Sequence, residues 1–302
     1  MTTFKPPTEW TPPDVFPTEL LVNAKEVAID TETRDPNLKE KGPGYIRGDG
    51  EIVGISFACD GFEGYFPFAH ESGFNFPKNK VISFAKKVCA SNSDKIFHNA
   101  SYDMGWLGSE GIKVNGRIID TMVVAPLIDE NQYWYTLNAL GREYVNEGKT
   151  EAELNAAAEE WGLDPKAEMW RLPSAYVGTY ATQDAALTLK LWNHFKTLIE
   201  EQNLWNIFDL EMEVLPVLYE MKKKGVRVDT ERAETIKRQL IKQEKELLLE
   251  IQKQSGVREL QLWAANSLAT VFDALKLTYT RTPTGQPSFT KAFLDNHTHP
   301  VA

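Results

Sequence analysis

The sequence VAIDTE, residues 27–32, joins three apolar residues to two carboxylates that are separated by one residue. The apolar residues predict a short buried strand over 27–29. Because side chains alternate along an extended backbone, Asp30 and Glu32 project to the same side. Two carboxylates in this arrangement repel each other unless a cation neutralises them. An isolated Asp-x-Glu more often only begins a polar loop, so this pair needs support from elsewhere in the chain.

The surrounding pattern of apolar residues predicts a strand-rich region up to about Asp120 and almost only helices after it. Further strands are predicted at 52–59, 64–68, 95–97 and 117–119, with helices at 80–90 and 100–107. Later helices are predicted at 137–144, 150–161, 177–201, 204–224 and about 230–255. Gly178 is expected to weaken the start of the third, and Pro216 to interrupt the fourth. We therefore expect an α/β (α+β) fold, in which helices flank a mixed β-sheet and a helical extension follows.

Composition limits the possible partners of the chain. Its 302 residues carry a formal net charge of −10, which argues against a protein that grips duplex DNA along its backbone. No run of roughly 18 apolar residues predicts a membrane span. Prolines at 6, 7, 12, 13 and 17 predict an extended N-terminal arm, and no apolar signal segment precedes them. We expect a cytoplasmic protein whose two cysteines are reduced core thiols.

Three more polar residues lie where predicted strands and helices meet or share a face. Asp103 follows the strand 95–97, and Tyr180 and Asp184 are four residues apart on a predicted helix. That spacing puts Tyr180 and Asp184 on one helix face, one turn apart. Taken alone, Asp103 could be a helix cap and the Tyr180–Asp184 pair a surface hydrogen bond.

The order of these residues resembles the DEDD superfamily of exonucleases. A strand-borne Asp-x-Glu, a strand-helix Asp and a helical Tyr-x-x-x-Asp occur here as Asp30, Glu32, Asp103, Tyr180 and Asp184. Tyr180 makes the chain similar to the tyrosine-type branch, as found in the proofreading domain of family A DNA polymerases of phage type. The resemblance covers residues 24–198 and implies a ribonuclease H-like fold with 3′→5′ exonuclease activity on DNA.

The resemblance also implies a role for each residue and two divalent cations, Mg²⁺ or Mn²⁺. Asp30 would bridge both cations, Glu32 and Asp184 would complete one, and Asp103 would hold the other, partly through water. Tyr180 would orient the attacking water. Thr33, Asn99 and Tyr102 match positions that touch the phosphates or sugars of a DNA strand, although ordinary packing explains them equally well. The substrate would be a single-stranded DNA 3′ end, with no membrane involved.

The sequence from LPVL at 215–218 through GVRVD at 225–229 resembles the segment that joins such an exonuclease to a polymerase. The helix after it resembles the start of a polymerase thumb, and Asn266-Ser267 and residues 282–288 are similar to thumb-to-palm elements. The resemblance places an arm at residues 1–23, the exonuclease at 24–203, and a linker with a partial thumb at 204–302. Motifs carrying the polymerase aspartates do not occur in the sequence, so we expect no nucleotide incorporation. The partial thumb is expected to lack a core of its own and to be covered by a separate polymerase chain or by self-association.

Two other functions fit parts of the sequence. An exoribonuclease of the same fold would keep all four carboxylates, and only the thumb-like segment argues against it. A non-catalytic DNA-binding or docking module normally loses one or more of the carboxylates, and this chain keeps Asp30, Glu32, Asp103 and Asp184. A DNA exonuclease is therefore the favoured prediction.

Overall fold

A five-stranded mixed sheet, with the VAIDTE segment in its central strand, organises the first part of the chain. The computed structural model describes residues 8–301. The sheet strands are β1 (Glu26–Arg34), β2 (Glu51–Cys59), β3 (Phe62–Pro67), β4 (Asp94–Phe97) and β5 (Ile118–Asp120). Their spatial order is β3-β2-β1-β4-β5, with β1 antiparallel to β2 and parallel to β4. The predicted fold class is confirmed.

Helices cover both faces of this sheet. They are α1 (Thr18–Asn23), α2 (Leu38–Lys41), α3 (Gly44–Arg47), α4 (Lys78–Ala90), α5 (Ala100–Ser109), α6 (Thr121–Ile128), α7 (Leu137–Val145), α8 (Ala152–Trp161), α9 (Ser174–Glu201) and α10 (Trp205–Lys224). Among residues 8–301, no helix combines the length and the apolar composition that crossing a bilayer requires.

Alternation along β1 assigns its side chains to two different cores. Val27 and Ile29 pack into one core with residues of α1, α4 and α5. Ala28 points the other way and packs with residues of α6, α7 and α9. The same alternation places Asp30 and Glu32 on the α9 side of the sheet and Thr31 on the α5 side. β1 extends through both carboxylates to Arg34, beyond the predicted strand 27–29.

The long helix α9 begins three residues before its predicted start, and Gly178 does not weaken it. A Cβ on Gly178 would come within 2.0 Å of the Trp10 ring, so the glycine leaves room for that indole. Trp10 Nε1 also donates a hydrogen bond to Thr182 Oγ1 at 3.3 Å. The N-terminal arm is thus packed along α9. Residues 1–7 lie outside the described residues, and 18–23 form helix α1 where an extended arm was expected.

Helix α10 is continuous, and the predicted interruption at Pro216 is wrong. Pro216 lacks the N–H that a helix interior uses. Packing on both sides compensates, because Phe208 and Met212 are buried before it and Tyr219 donates a hydrogen bond to Met104 O at 3.2 Å after it. The first compact unit ends at Gly225, after this helix.

The second compact unit begins at Val226. It contains α11 (Thr230–Ser255), α12 (Ala265–Ala274), a hairpin of β6 (Thr280–Arg281) and β7 (Pro287–Ser288), and α13 (Lys291–Asp295). Phe272 is 1% exposed and packs against the rings of Phe289 and Phe293. The expectation that this region has no core of its own is therefore wrong, although the described side chains of α11 include none that is buried.

Candidate metal centre

Three of the predicted carboxylates meet between the central strand and α9. Asp30 and Glu32 lie on β1, and Asp184 lies on the facing side of α9. One carboxylate oxygen from each residue lies within 4.8 Å of the other two. Residues 152 positions apart in sequence therefore form one cluster, which we call the carboxylate cluster.

Asp103 lies beside this cluster and is tied to the strand between its two acids. Asp103 Oδ1 accepts hydrogen bonds from the Thr31 backbone N–H at 2.9 Å and from Thr31 Oγ1 at 2.7 Å. The Thr31 N–H is free for this contact because β1 pairs with β4 only as far as Ala28. Asp103 is buried but is not one of the three residues whose oxygens converge.

Burial and mutual repulsion hold a proton more tightly in each carboxylate. Burial, with the neighbouring Asp184, raises the pKa of Asp30 to about 7. Burial also raises the pKa of Glu32 well above its usual value, and Asp30 raises it further. For Asp103 the causes of the raised pKa are the same, burial first and then Asp30. A bound cation would stabilise the ionised carboxylates and so offset the effect of burial and repulsion on their pKa values.

The donor set fits a hard divalent cation. Two atoms of the cluster, Glu32 Oε1 and Asp184 Oδ1, are buried, and no hydrogen-bond partner for them exists among the residues that the structure describes. Buried polar atoms normally have a hydrogen-bond partner or a ligand, and a bound cation would supply one for these two oxygens. Oxygen-only sites without Cys or His suit Mg²⁺ or Mn²⁺. Asp30, Glu32 and Asp184 are thus able to hold such an ion.

Lys149 is a cluster residue that the sequence did not indicate. Its Nζ donates hydrogen bonds to Asp184 Oδ2 at 2.5 Å and to Tyr180 Oη at 3.2 Å. Lys149 lies in the loop between α7 and α8, 35 residues before Asp184. No periodicity or local motif connects the two positions, so only the fold brings them together. Lys166, from the segment after α8, places its Nζ 4.0 Å from the centre of the Tyr180 ring.

Of the residues predicted to touch DNA, Thr33 lies near the end of β1, and Asn99 and Tyr102 lie at the start of α5. Thr33 Oγ1 and Tyr102 Oη form a hydrogen bond of 2.8 Å, which joins the end of β1 to α5. Asn99 precedes α5 with a φ of 75°, a left-handed conformation that Asn tolerates. Its backbone N–H donates to Asp120 Oδ1 at 2.9 Å, and its side chain is exposed.

Comparison with known proteins agrees with this arrangement. A family model described as a 3′-5′ exonuclease matches residues 18–200. A DNA-directed DNA polymerase of Pseudomonas phage M6 is 35% identical over 301 residues, covering 97% of this chain and 45% of the relative. DNA polymerase DpoZ of Salmonella phage PMBT28 is 29% identical, covering 72% of this chain and 33% of the relative. The chain thus spans less than half the length of these two polymerases.

Solved structures show the same fold at low identity. The POL domain of Pol1 from M. smegmatis, in complex with DNA primer-template and dNTP, superposes with a TM-score of 0.66 at 16% identity. That match covers 95% of this chain and 44% of the other. Brucella melitensis NrnC bound to pGG superposes with a TM-score of 0.51 at 16% identity, covering 69% of this chain and 90% of NrnC. By the match over residues 18–200, this chain belongs to the 3′-5′ exonuclease domain family of family A DNA polymerases.

Proposed function

We propose that this chain removes nucleotides from the 3′ end of single-stranded DNA, in the manner of a proofreading exonuclease. The observation that carries the proposal is the carboxylate cluster, in which oxygens of Asp30, Glu32 and Asp184 converge within 4.8 Å and two buried oxygens lack partners. DNA is favoured over RNA because the relatives in the sequence comparison are named as DNA polymerases.

The four carboxylates of Asp30, Glu32, Asp103 and Asp184 would together bind two divalent cations, Mg²⁺ or Mn²⁺. Asp30, Glu32 and Asp184, whose oxygens converge, would hold one ion, and Asp30 together with Asp103 would hold the other. When bound, the cations supply the positive charge that activates water and stabilises the phosphate and the leaving 3′ oxygen.

Tyr180 positions the attacking water from the face of α9 that also carries Asp184. Its ring is buried, and burial raises the pKa of the phenol well above the usual value, so the hydroxyl stays protonated at neutral pH. A protonated phenol can donate and accept hydrogen bonds without acting as a base. Lys149 Nζ donates a hydrogen bond to this oxygen at 3.2 Å.

Thr33, Tyr102 and Asn99 position the strand end beside the cluster. The Thr33–Tyr102 hydrogen bond fixes both hydroxyls on the rim where β1 and α5 approach each other. The exposed Asn99 amide is free to reach a sugar or phosphate oxygen. Most contacts of proteins with a DNA strand go to the backbone through groups of this kind.

We also propose the domain arrangement, with the exonuclease at 24–203 and the linker and thumb-like part at 204–302. In this arrangement polymerase structure from a longer chain or a separate one covers the exposed apolar side chains of α11, such as Leu240 and Leu247. Sedimentation of the chain tests this, alone and mixed with the part of the related Pseudomonas phage M6 polymerase that the chain does not match. A monomer that never associates with such a region would refute it.

A digestion of labelled oligonucleotides tests the proposed function. A single-stranded DNA carrying a label at its 5′ end should give a ladder of shortened products with Mg²⁺ and none with EDTA. A blunt DNA duplex should be degraded more slowly, because a negatively charged protein has little hold on duplex phosphates. A matched RNA should also be degraded more slowly if DNA is the substrate. Release of nucleotides from the 5′ end, or faster cleavage of the RNA, would overturn the assignment.

A further inference from the structure

Lys149 is a partly buried cation in contact with the carboxylate cluster. Its side chain is 16% exposed, and its ammonium contacts Asp184 Oδ2 at 2.5 Å and Tyr180 Oη at 3.2 Å. The same nitrogen lies 4.9 Å from the centre of the Tyr180 ring. Both Lys149 and Lys166 offset, for Asp30 and Glu32, part of the rise in pKa that burial causes. Lys149 is the one of the two that contacts Asp184 directly.

Lys166 does not share this position. It lies over the Tyr180 ring at 4.0 Å, but its ammonium is paired with Glu151 Oε1 at 2.7 Å, and both partners are partly exposed. Lys166 therefore has its own carboxylate outside the cluster. Within the residues that the structure describes, Lys149 is the cation that makes a salt bridge to Asp184.

The backbone of Lys149 is anchored, whereas its side chain can move. The Lys149 N–H donates to Asn138 Oδ1 at 3.0 Å, and Gln183 of α9 holds the adjacent Gly148 and Thr150 through its side-chain amide. A lysine side chain is a flexible four-carbon stem that ends in a compact charge. The ammonium can therefore leave Asp184 without any change in the loop.

A lysine satisfies the cluster only in part. It brings one positive charge to three carboxylates and leaves Glu32 Oε1 and Asp184 Oδ1 without partners. A divalent cation brings two charges and accepts several oxygens at once. An ammonium within hydrogen-bond distance of a metal ligand also repels an incoming cation strongly, because both are positive in a site of low dielectric constant.

We propose that Lys149 is a resident counter-ion that neutralises the metal-free cluster and is displaced from Asp184 when a divalent cation binds. The proposal rests on the proposed function, since it assumes that the cluster binds metal. It assigns Lys149 a positioning role, because the lysine holds Asp184 and Tyr180 in place until the metal ion binds Asp184. On metal binding, the divalent cation then replaces the Lys149 ammonium as the positive charge beside Asp184.

Binding of Mn²⁺ alone, without DNA, tests the exchange. Titrations followed by the electron paramagnetic resonance signal of free Mn²⁺ would compare the wild-type chain with Lys149→Met. We expect the variant to bind Mn²⁺ about tenfold more tightly, because a competing positive charge has gone. Unchanged or weaker binding by a folded Lys149→Met protein would overturn the proposal and would make the lysine a support for the metal ligands.

Lys190→Met is the matched control. Lys190 also joins α9 to the loop after α7, through Glu147 at 2.7 Å, but this pair is exposed and outside the cluster. Its Mn²⁺ affinity should stay within about twofold of wild type. A tenfold gain in the control would show that any lost surface charge has this effect, and would overturn the specific role of Lys149.

A second measurement uses the wild-type chain and does not depend on a variant folding. Acetylation of lysines, read residue by residue by mass spectrometry, should modify Lys149 slowly without metal and several times faster with saturating Mn²⁺. Protection that persists in Mn²⁺ would overturn the displacement. If instead wild type binds no Mn²⁺ and Asp30→Asn changes nothing, the proposed metal centre itself fails, which separates the two failures.

Discussion

Helices α9 and α11 have nearly the same length and opposite surroundings. α9 has 28 residues, of which 15 are buried, whereas α11 has 26 residues and none of its described side chains is buried. Both carry apolar residues along one side. Those of α9 pack against the sheet, while on α11 Leu240 is 58% and Leu247 63% exposed. An apolar seam alone therefore does not determine whether a helix is buried.

The difference explains where chemistry can be placed. On α9 the buried face includes Tyr180 and Asp184, both of which contact Lys149. In such a place charges interact strongly and pKa values shift. On α11 the ion pairs, such as Lys242 with Glu246, are exposed, and pairs of that kind contribute little. Loss of one carboxylate should therefore have very different results in the two helices.

The largest expected effect comes from Asp184→Asn on α9. Removing one ligand oxygen from the carboxylate cluster should abolish nuclease activity. The fold should survive, because burial raises the pKa of Asp184 in the folded state. A raised acid pKa means that the folded state binds more protons than the unfolded one, so the ionised Asp184 costs stability at pH values above its ordinary pKa. The melting temperature without metal at pH 8 should therefore not fall.

The matched change on α11 is Glu244→Gln, which removes one exposed carboxylate. Nuclease rate on single-stranded DNA and melting temperature should both equal those of wild type. Near wild-type cleavage by Asp184→Asn with Mg²⁺ would refute its role as a metal ligand, and unfolding without metal would make Asp184 structural. Either result would remove the contrast between the helices.

A smaller loss of activity is expected for Tyr180→Phe. The ring would keep its packing beneath Lys166, and only the hydroxyl that orients water would be lost. Loss of one positioned proton-handling group slows a reaction by about 10²–10⁴-fold. Single-turnover cleavage of a labelled strand measures this, and Mn²⁺ binding should persist. Loss of metal binding in Tyr180→Phe would show that the role assigned to Tyr180 is wrong.

A pair of truncated side chains compares the packing of the two helices. Phe195 of α9 is 0% exposed and lies 5.1 Å from the Tyr144 ring, so Phe195→Ala should lower the free energy of unfolding by about 3–5 kcal/mol. Leu240→Ala on α11 should change it by less than about 0.5 kcal/mol. Urea unfolding curves measure both. A large loss for Leu240→Ala would indicate that α11 is covered in solution.

Local patterns predicted the elements, and the resemblance to the DEDD exonucleases predicted that the acids converge, but neither predicted the residues that long-range contacts select. Alternation placed Asp30 and Glu32 on one side of a strand, and helical spacing placed Tyr180 next to Asp184. Lys149 had no such signal, because its contact depends on a loop that crosses α9. Packing likewise reversed the expectations at Pro216 and Gly178, where Tyr219 and Trp10 compensate for a weak helix former. The roles of all the predicted site residues stay predictions: Asp30, Glu32, Asp103, Tyr180 and Asp184 at the cluster, and Thr33, Asn99 and Tyr102 beside the DNA strand.

The smallest effect is expected when the chain is cut after Gly225, which removes α11 and everything after it. The first compact unit ends there, and its described core residues all precede that position. The shortened protein should cleave short single strands within about threefold of the wild-type rate and keep its melting temperature. Binding to long strands should weaken slightly, because the basic side chains of α11 have gone.

A second cut sharpens this expectation. Removing everything after Asn203, at the predicted boundary, also removes α10. The Phe208 ring, which stacks on Trp192 at 5.3 Å and lies beneath Arg117, would be lost from the core. Losing a buried Phe side chain costs about 3–5 kcal/mol, so this protein should unfold at a lower temperature than the one ending at Gly225. Equal melting temperatures of the two shortened proteins would place the end of the exonuclease domain at 203. If the protein ending at Gly225 is unfolded, then α11 and the rest of its unit support the fold of the nuclease.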